Sequence, residues 1–592
     1  MAVMEITNDN NKFEFREGEF IFKILQKNGI KIEVPCGGVG TCGKCKVRVV
    51  GGKISPLSSE ELEYLSKDEI DRGIRLSCRT KAFGNVKIEL LNTDENHKIL
   101  TDGYLPELKI NPPITKKIIN LSECESNKNN YEEIVKNKLN VDEISDIECL
   151  KALQKSFKTG NLTSIFLNDK LIGIEPKINE KVYGIAIDIG TTTVVASLID
   201  ILNGTEIASE TMINPQKEYG SDVLSRIDFA NKNENGLELL NKAIITGINK
   251  LIFDLATQNK IAVENIYEVS IAANTTMMHF LLNISAESIG KSPYLPVFLS
   301  GKNILSNDIG INISPFGRIY CLPGVSGYIG ADIVAGVIVS ELLKTEKNVL
   351  FIDIGTNGEI MLSKAGILSS CSCAAGPALE GMNISYGMRA ADGAIEGIKF
   401  TENGVELKII GNTNPVGICG SGILDSISEI VRTGLVGKTG RLINSNGSDN
   451  EYKNMIIEKN SKKFVQISKN PEILVSQKDI RQVQLAKAAI VSGFLALLDE
   501  NKLTMEEIDE VIIAGQFGKH LTVESLVGSG IIPLKLGEKI RYIGNSSKTG
   551  ALMCLLSKES RKEMESVSKD IKYYELSTKE NYEKLFIDSL NF

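Results

Sequence analysis

In the first 95 residues, apolar and polar positions alternate over short runs, which is typical of a small, strand-rich domain. Residues 5–15 (EITNDNNKFEF) alternate around a polar turn and predict a hairpin, and residues 20–29 (FIFKILQKNG) predict a short helix. Residues 45–52 (CKVRVVGG) and 85–91 (NVKIELL) predict further strands. The pattern therefore predicts one domain over residues 1–95 in which a helix packs on a sheet.

Prolines interrupt the pattern between residues 96 and 113, and we expect an extended, semi-stiff linker there on which the first domain can swing. The prolines are Pro106, Pro112 and Pro113. From 114 to 178, strand-like runs and two amphipathic stretches predict a small α/β middle domain. It contains no catalytic constellation, and its cysteines, Cys124 and Cys149, are interpreted as buried small hydrophobes.

An internal repeat begins after residue 179. The stretch GIAIDIGTTTVVASLID (184–200) is an apolar strand, a turn of glycine and hydroxyls, and a second strand. NVLFIDIGTNGEIMLSK (348–364) repeats it, with Asp353 lying 353 − 188 = 165 residues after Asp188. The repeat predicts a duplicated domain that extends to residue 592.

Each repeat delivers a carboxylate beside a glycine whose missing side chain lets backbone N–H groups approach phosphate oxygens. Asp188 and Asp353 are the candidate catalytic residues, acting through Mg²⁺ and its waters, because a carboxylate repels phosphate directly. The candidate phosphate-binding residues are Gly190, Thr191, Thr192, Thr193, Gly355, Thr356, Asn357 and Gly358. A single such turn is also an ordinary hairpin, and the second copy is what favours a nucleotide site.

A third glycine turn lies in DEVIIAGQFGKHL, residues 509–521. Gly515 and Gly518 follow an apolar strand there and are candidates for contact with a flat adenine ring. The alternative is a plain strand-to-helix turn.

Four cysteines lie in the first domain. Cys36, Cys42 and Cys45 follow the spacing C-x5-C-x2-C in a glycine-rich loop, and Cys78 follows in RLSCRT. Four thiolates suffice for one iron–sulfur cluster, and the glycines turn backbone N–H groups toward the sulfurs. A structural zinc site is the alternative, but zinc sites usually pair two C-x2-C motifs and only one is present. The spacing predicts a 2Fe-2S cluster.

Composition narrows the class of protein. The chain has 592 residues, 24% of them charged, and a formal net charge of −8, so no basic stripe favours nucleic acid. The start of the chain lacks a basic region followed by an apolar run, and no apolar stretch reaches the length of a membrane span. We expect a cytoplasmic protein without a nucleic-acid or membrane partner.

Family resemblance sharpens these expectations. The order of two phosphate loops and an adenosine loop over residues 180–560 resembles acetate and sugar kinases, heat-shock ATPases and actin, which have a duplicated ribonuclease-H-like fold. The first domain resembles a β-grasp 2Fe-2S ferredoxin of the adrenodoxin-like variant. Residues 322–336 (LPGVSGYIGADIVAG), 374–396 (AAGPALEGMNISYGMRAADGAIE) and 544–551 (GNSSKTGA) resemble the reductive activators of corrinoid-dependent enzymes.

The resemblance implies an α/β multidomain ATPase that delivers one electron to a corrinoid protein whose cobalt has become inactive Co(II). It implies a 2Fe-2S cluster, ATP and Mg²⁺ as cofactors, a corrinoid protein of a methyltransferase system and a low-potential electron donor as partners, and a homodimer. Co(I) is so strong a reductant that a 2Fe-2S cluster needs help to form it, since each 59 mV of unfavourable potential costs a factor of about ten. ATP supplies the difference.

Two departures from the family pattern concern the nucleotide. The chain has Ala273 before Asn274 where the family often has glycine, and AGQFG where the adenosine loop often reads GGFG.

Two other function classes remain open at this point. A small-molecule kinase with a regulatory ferredoxin domain needs a carboxylate base, for which Asp222, Asp332 and Glu359 are candidates. A noncatalytic iron–sulfur adaptor would use the cleft only structurally. Cys371 and Cys373 are either a redox pair or buried core thiols, and Glu380 contacts nucleotide or partner, or pairs with Arg389.

Overall fold

The computed structural model of the chain describes most of its residues and six sheets within them. The described residues are 2–7, 11–28, 30, 32, 38, 40, 43–91, 104–121, 130–402, 404–444, 449–515 and 521–592.

A five-stranded sheet forms the N-terminal domain. Its strands and helices are β1 (Ala2–Ile6), β2 (Lys12–Phe15), α1 (Ile21–Lys27), β3 (Lys46–Ile54), α2 (Ser59–Tyr64), α3 (Lys67–Asp71), β4 (Ile74–Leu76) and β5 (Ala82–Leu90). The strand order is β2-β1-β5-β3-β4, with β1 antiparallel to β2 and parallel to β5. Helix α1 buries Ile21, Ile24 and Leu25, the i, i+3, i+4 face that its sequence predicts. The predicted β-grasp domain is confirmed.

The middle domain packs two helices on a three-stranded antiparallel sheet. Its elements are β6 (Ile114–Asn120), α4 (Tyr131–Leu139), α5 (Ile147–Thr159), β7 (Asn161–Leu167) and β8 (Lys170–Glu175), in the sheet order β6-β7-β8. Cys149 belongs to its apolar core, and burial raises the pKa of its thiol to about 12. This supports the interpretation of Cys149 as a core residue; Cys124 lies outside the described residues.

The first large lobe is built on a six-stranded sheet. Its elements are β9 (Tyr183–Ile189), β10 (Thr193–Asp200), β11 (Thr205–Ile213), α6 (Val223–Lys232), α7 (Gly236–Gln258), β12 (Ile266–Ala273), α8 (Thr275–Leu281), β13 (Lys302–Leu305), β14 (Arg318–Cys321) and α9 (Ala331–Val339). The strand order is β11-β10-β9-β12-β14-β13. Strands β9 and β12 are buried along almost their whole length, as strands covered on both faces must be.

The second large lobe has a sheet of the same kind and two three-stranded additions. Its elements are β15 (Asn348–Ile354), β16 (Gly358–Lys364), β17 (Ile367–Cys373), β18 (Ala394–Thr401), β19 (Gly404–Ile409), β20 (Gly417–Ile418), α10 (Gly420–Arg432), β21 (Ile456–Lys459), β22 (Lys462–Lys469), β23 (Glu472–Ser476), α11 (Gln477–Glu500), β24 (Glu510–Ala514), α12 (Val523–Gly528), β25 (Ile540–Gly544), β26 (Lys572–Tyr573) and α15 (Tyr582–Asp588). Helices α13 (Ser546–Leu556) and α14 (Lys558–Asp570) follow β25 in the chain but return to pack in the core of the first lobe. The main sheet has the order β25-β24-β15-β16-β17-β26, and the additions are β19-β18-β20 and β21-β22-β23.

The two lobes share one topology. In each, an antiparallel meander of three strands (β9–β11 or β15–β17) is followed in the sheet by a parallel strand beside the first (β12 or β24) and then another (β14 or β25). Counting only these five strands in each lobe, both sheets read 3-2-1-4-5, with β13 and β26 added at the edges. This confirms the duplicated ribonuclease-H-like fold that the internal repeat predicted.

Residues 104–113, the second part of the predicted linker, lie against the large lobes. The Tyr104 amide donates to the Ile543 carbonyl over 3.0 Å, and the Asn111 amide donates to the Leu556 carbonyl over 2.8 Å. Leu108 packs against the core of the first lobe. This segment therefore belongs to the body of the large lobes; residues 96–103 lie outside the described residues.

Helix α11 is long and apolar enough to cross a membrane by length and composition alone, but 72% of its most apolar window is buried inside the protein. Burial of this kind is typical of a core helix.

Candidate nucleotide cleft and cluster-binding loop

The first phosphate loop is the turn between β9 and β10. The Gly190 amide donates to the Thr193 carbonyl over 2.9 Å, which closes the turn directly after Asp188. Two other segments fix its shape: Asn274 Nδ2 donates to Thr191 Oγ1 over 3.1 Å, and the buried Arg226 guanidinium donates to the Thr191 carbonyl over 2.5 Å. The turn is thus held in place before any ligand binds.

The second phosphate loop is the equivalent turn between β15 and β16. The Gly355 amide donates to the Asn357 carbonyl over 3.0 Å, so Asp353 occupies the same place in this turn as Asp188 does in the first. Gly515 lies directly beside it, at a φ of +94°, and a side-chain carbon there would lie only 2.5 Å from Asp353 Oδ1. The close approach of the adenosine-loop candidate to the second phosphate loop therefore requires glycine.

Both loops line one cleft between the lobes. The predicted residues that line it are Asp188, Gly190, Thr191, Thr192, Thr193, Asp353, Gly355, Thr356, Asn357 and Gly515. Gly358, which was also predicted, does not line the cleft; its carbonyl accepts a hydrogen bond from the Cys373 thiol over 3.2 Å. Gly518 lies outside the described residues.

The sequence analysis considered Asn274, Asp332, Glu359 and Glu380 but gave no role to Asn545, Ser546 and Ser547, which complete the cleft. Further lining residues are Asn274, Asp332, Glu359, Glu380, Asn545, Ser546 and Ser547. Asp188 accepts hydrogen bonds from Asn545 Nδ2 over 3.0 Å and from Ser547 Oγ over 2.7 Å. A detectable signal was the polar run GNSSKTGA after an apolar strand, because an asparagine that caps a helix at the end of a strand often faces a ligand edge.

Five carboxyl groups line this cleft, and burial disfavours the charged forms of four of them, Asp188, Asp332, Asp353 and Glu359. Burial raises the pKa of Asp353 to about 7, with a further contribution from the charge of Asp188. Burial also raises the pKa of Asp332 to about 7 and that of Glu359 well above its usual range, and neighbouring carboxylates add to both shifts. A cation would relieve this repulsion, so the donor set fits Mg²⁺.

The carboxylates are not arranged to enclose a bare ion. Among the described residues, no three His, Cys, Asp or Glu side chains form a group that could hold a metal ion. The arrangement therefore fits a magnesium that arrives with the nucleotide and reaches the carboxylates through its waters.

The cluster-binding loop places two of the four predicted ligands together. The sulfur atoms of Cys45 and Cys78 lie 3.2 Å apart, and both side chains are buried. Two thiolates on one tetrahedral metal with bonds of about 2.3 Å lie roughly 4 Å apart, so the pair fits a shared iron. Cys36 and Cys42 lie outside the described residues.

The glycines of this loop leave no room for side chains. A side-chain carbon at Gly40 would lie 2.0 Å from Arg79 Nε, and one at Gly43 would lie 2.9 Å from the Tyr64 side chain. Both glycines have positive φ, +88° and +65°. The backbone is therefore free to wrap closely around a cluster held by Cys45 and Cys78.

The remaining described cysteines lie in apolar cores. Cys371 and Cys373 are buried, and burial raises the pKa of both thiols well above the usual range. Burial also raises the pKa of Cys321 and of Cys554 to about 12. Such thiols resist ionisation, which supports the core interpretation of Cys371 and Cys373 over a redox pair.

The ferredoxin domain rests on the second lobe in this structure. Lys44 Nζ donates to the Gly387 carbonyl over 2.6 Å, and Lys478 Nζ lies 3.5 Å from a Glu63 carboxylate oxygen. A cavity between Cys78 and the first lobe is lined by Phe22 and Phe229, among others. We call the contacts of Lys44 and Lys478 the ferredoxin seat.

Fold and site together define a class of protein: an iron–sulfur ferredoxin domain fused to an ATPase of the actin-like superfamily. Three family models match the chain. They are described as a 2Fe-2S iron-sulfur cluster binding domain (residues 4–83), the RACo middle region (183–345) and the C-terminal domain of RACo, the ASKHA domain (347–592). The cofactors are accordingly a 2Fe-2S cluster, ATP and Mg²⁺.

Relatives carry the identification further. The chain is 31% identical over 580 residues to the corrinoid activation enzyme RamQ of Eubacterium limosum, covering 95% of this chain and 94% of the relative. It is 24% identical over 449 residues to the [Co(II) methylated amine-specific corrinoid protein] reductase of Methanosarcina barkeri, covering 69% and 77%. The solved structure of a reductive activator for corrinoid, iron-sulfur protein superposes with a TM-score of 0.73 at 31% identity, covering 100% and 98%. The chain belongs to the family of reductive activators of corrinoid proteins.

Proposed function

We propose that this protein uses ATP hydrolysis to drive one electron from its N-terminal 2Fe-2S cluster to the cobalt of a corrinoid protein, returning Co(II) to Co(I). The observation that carries the proposal is the match to a corrinoid activation enzyme along 95% of the chain, through both the ferredoxin domain and the ATPase lobes. The names of two relatives and one solved structure support a corrinoid protein as the substrate.

The ferredoxin domain supplies the electron carrier. Cys36, Cys42, Cys45 and Cys78 are the proposed ligands, and the paired sulfurs of Cys45 and Cys78 support this set. When bound, the cluster accepts and donates one electron at a time. Burial of the two described ligands keeps water away from the sulfurs, which favours a defined potential.

The cleft supplies the driving force. The hydroxyls and amides of residues 191–193 and 355–357 are the proposed phosphate donors. The carboxylates of Asp188 and Asp353 are proposed to orient the waters around magnesium, and Asp353, with a pKa near 7, is suited to accept a proton from the attacking water. Asn545 and Ser547 hold the Asp188 carboxylate in one orientation.

The experiment that tests the proposal follows cobalt directly. The full-length protein, ATP, a low-potential reductant and a Co(II) corrinoid protein are mixed, and the visible spectrum of the corrinoid is recorded. We expect conversion to Co(I) with the wild-type protein, none with Cys42→Ser, and normal conversion with Cys149→Ser, the same change in the middle domain. Conversion by Cys42→Ser at the wild-type rate would show that electrons bypass the cluster.

The same assay separates the two other function classes. A small-molecule kinase would consume ATP only with a small acceptor and would leave the corrinoid spectrum unchanged. A noncatalytic adaptor would release no phosphate at all. Matches to activators over nearly the whole chain favour the first proposal over both.

We infer domain limits at 1–95, 114–178 and 179–592, with residues 96–113 as the connection. The hydrogen bonds of residues 104–113 to Ile543 and Leu556 support starting a truncated chain at residue 104 and not at 114. We expect the chain 104–592 to hydrolyse ATP and to leave Co(II) unreduced. Adding residues 1–95 as a separate chain should restore little, because the effective concentration that a tether provides, of order mM, is lost.

We further propose a cytoplasmic location, a low-potential electron donor and a homodimer as the working form. Light scattering of the purified protein at micromolar concentration measures the last of these.

A further inference from the structure

A single carboxylate bridges the two phosphate loops. Thr192 Oγ1, from the first lobe, donates to Glu380 Oε2 over 2.9 Å, and Thr356 Oγ1, from the second lobe, donates to Glu380 Oε1. Glu380 also lines the nucleotide cleft. The described residues contain no ion pair between Glu380 and Arg389; the two hydrogen bonds that the carboxylate accepts within them go to the two loops, and the charge of the buried Arg226 acts on it from nearby.

The bridge occupies the donors that a phosphate needs. A hydroxyl carries one hydrogen, so Thr192 and Thr356 cannot donate to Glu380 and to a phosphate oxygen at once. A carboxylate between the loops also repels the phosphate electrostatically, since both are anions. Phosphate can therefore take these two hydroxyls only when Glu380 leaves them.

The segment that carries Glu380 also carries part of the ferredoxin seat. Residues 377–388 fold back on themselves: the Met382 amide donates to the Pro377 carbonyl over 3.1 Å, and the Gly387 amide donates to the Ile384 carbonyl over 3.0 Å. A side-chain carbon at Gly387 would lie 2.0 Å from the carbonyl oxygen of Gly381, so Gly387 packs directly against the residue that follows Glu380. Gly387 is the residue whose carbonyl accepts the Lys44 ammonium.

We propose that Glu380 is a positioning residue that holds the phosphate-binding hydroxyls of the nucleotide-free cleft, and that its displacement by nucleotide phosphate loosens the ferredoxin seat. This rests on the proposed function, since it takes ATP as the ligand of this cleft. It links nucleotide binding to release of the domain whose Cys78 loop faces the first lobe. A corrinoid partner then gains access to that loop.

The first test is nucleotide affinity, measured by titration calorimetry on the full-length protein with ATP, with and without Mg²⁺. Glu380→Gln removes the anionic competitor at nearly unchanged volume, so we expect about tenfold tighter binding in both conditions. The matched control is Glu396→Gln, which changes a carboxylate that pairs with Lys408 on β18–β19 and should bind like wild type.

Two results would overturn the inference. Unchanged affinity of Glu380→Gln would mean that the bridge does not compete with phosphate. Weaker binding only in the presence of Mg²⁺ would make Glu380 a partner of the metal waters instead. Failure of the wild-type protein to bind ATP at all would defeat the proposed function itself, and is distinguishable from either.

The second test reads the ferredoxin seat by zero-length carbodiimide cross-linking between Lys478 and Glu63, whose charged atoms lie 3.5 Å apart and whose side chains are exposed. We expect saturating ATP to lower the cross-link yield of the wild-type protein several-fold, and Glu380→Gln to show a low yield even without ATP. A cross-link yield that stays constant while ATP binds would show that nucleotide binding in the cleft does not loosen the ferredoxin seat.

Discussion

The two phosphate loops are copies of one turn, yet their carboxylates are held differently. Asp188 accepts hydrogen bonds from Asn545 and Ser547, at the N-terminus of α13. No such bond to the Asp353 carboxylate is present among the described residues, and the backbone of Gly515 lies close beside it. The first carboxylate is fixed in orientation, and the second is open to the cleft.

This difference indicates that the two copies of a duplicated site can have different roles in the reaction. Two neutral donors fix the geometry of the Asp188 carboxylate and offset part of the rise in its pKa that burial causes. A carboxylate without them is free to exchange protons and to turn toward a water, as Asp353 is. We infer that Asp188 positions and that Asp353 takes the larger part in hydrolysis.

The largest expected effect tests this division directly. Asp353→Asn should lower the rate of ATP hydrolysis by about 10³, and Asp188→Asn by about 10², because an amide cannot accept the proton and binds the metal waters weakly. Phosphate release is the measurement, and the visible spectrum of the cluster should stay unchanged in both variants.

Asp308→Asn is the control, because Asp308 is exposed on the first lobe and far from both loops in sequence. An equal or larger loss in Asp188→Asn would reverse the division of work, and normal rates in both variants would remove them from the site.

A second, smaller effect concerns pH and stability. The pKa of Asp353 in the folded, nucleotide-free protein is raised to about 7 from 3.8, so its favourable contribution to stability is fully present below about pH 4 and is lost as pH rises through 7. At pH 8 we therefore expect Asp353→Asn to unfold at a higher temperature than wild type, by up to several degrees. At pH 5 the gap should be much smaller.

Thermal unfolding followed by circular dichroism measures this, and Mg²⁺ with ATP should remove the advantage of the variant because the cation offsets the repulsion. A wild-type protein that is the more stable of the two at pH 8 without ligand would contradict the raised pKa.

The smallest effect isolates the hydrogen bonds to Asp188. Ser547→Ala removes one donor and leaves the carboxylate in place, so we expect roughly a tenfold loss of hydrolysis, the value of one hydrogen bond to a charged group. Ser566→Ala, the same change at an exposed serine of α14 that does not line the cleft, is the matched control. Equal rates in Ser547→Ala and wild type would show that Asn545 alone suffices to hold Asp188.

Much of the candidate site was readable from the sequence because it is local. Asp188 and Asp353 each lie at the end of a strand, directly before a turn, so the internal repeat alone was enough to identify them as candidates. For Glu380 the sequence left two alternatives open, contact with nucleotide or partner and a pair with Arg389. Thr192, the partner of Glu380, lies 188 residues away from it, and Asn545 lies 357 residues from Asp188, separations over which periodicity carries no information.

The predicted linker shows the same limit. An extended, proline-containing segment has the same sequence pattern whether it crosses solvent or lies on a neighbouring domain. Its own residues therefore do not predict which of the two occurs. The amide and carbonyl contacts that hold residues 104–113 belong to Ile543, Leu556 and Lys558, far along the chain.

Periods of two to four residues were enough to predict the strands and helices of the N-terminal domain and the two phosphate turns, and the internal repeat predicted the duplicated lobes. The β-grasp and actin-like folds followed from resemblance to known families. The tertiary structure alone decided that Asn545 and Ser547 hold Asp188, that Glu380 spans the two loops, and that Lys44 reaches Gly387. The physical reason is that such contacts form only when distant segments pack together, and their geometry is set by the cores of two lobes rather than by any one stretch of chain.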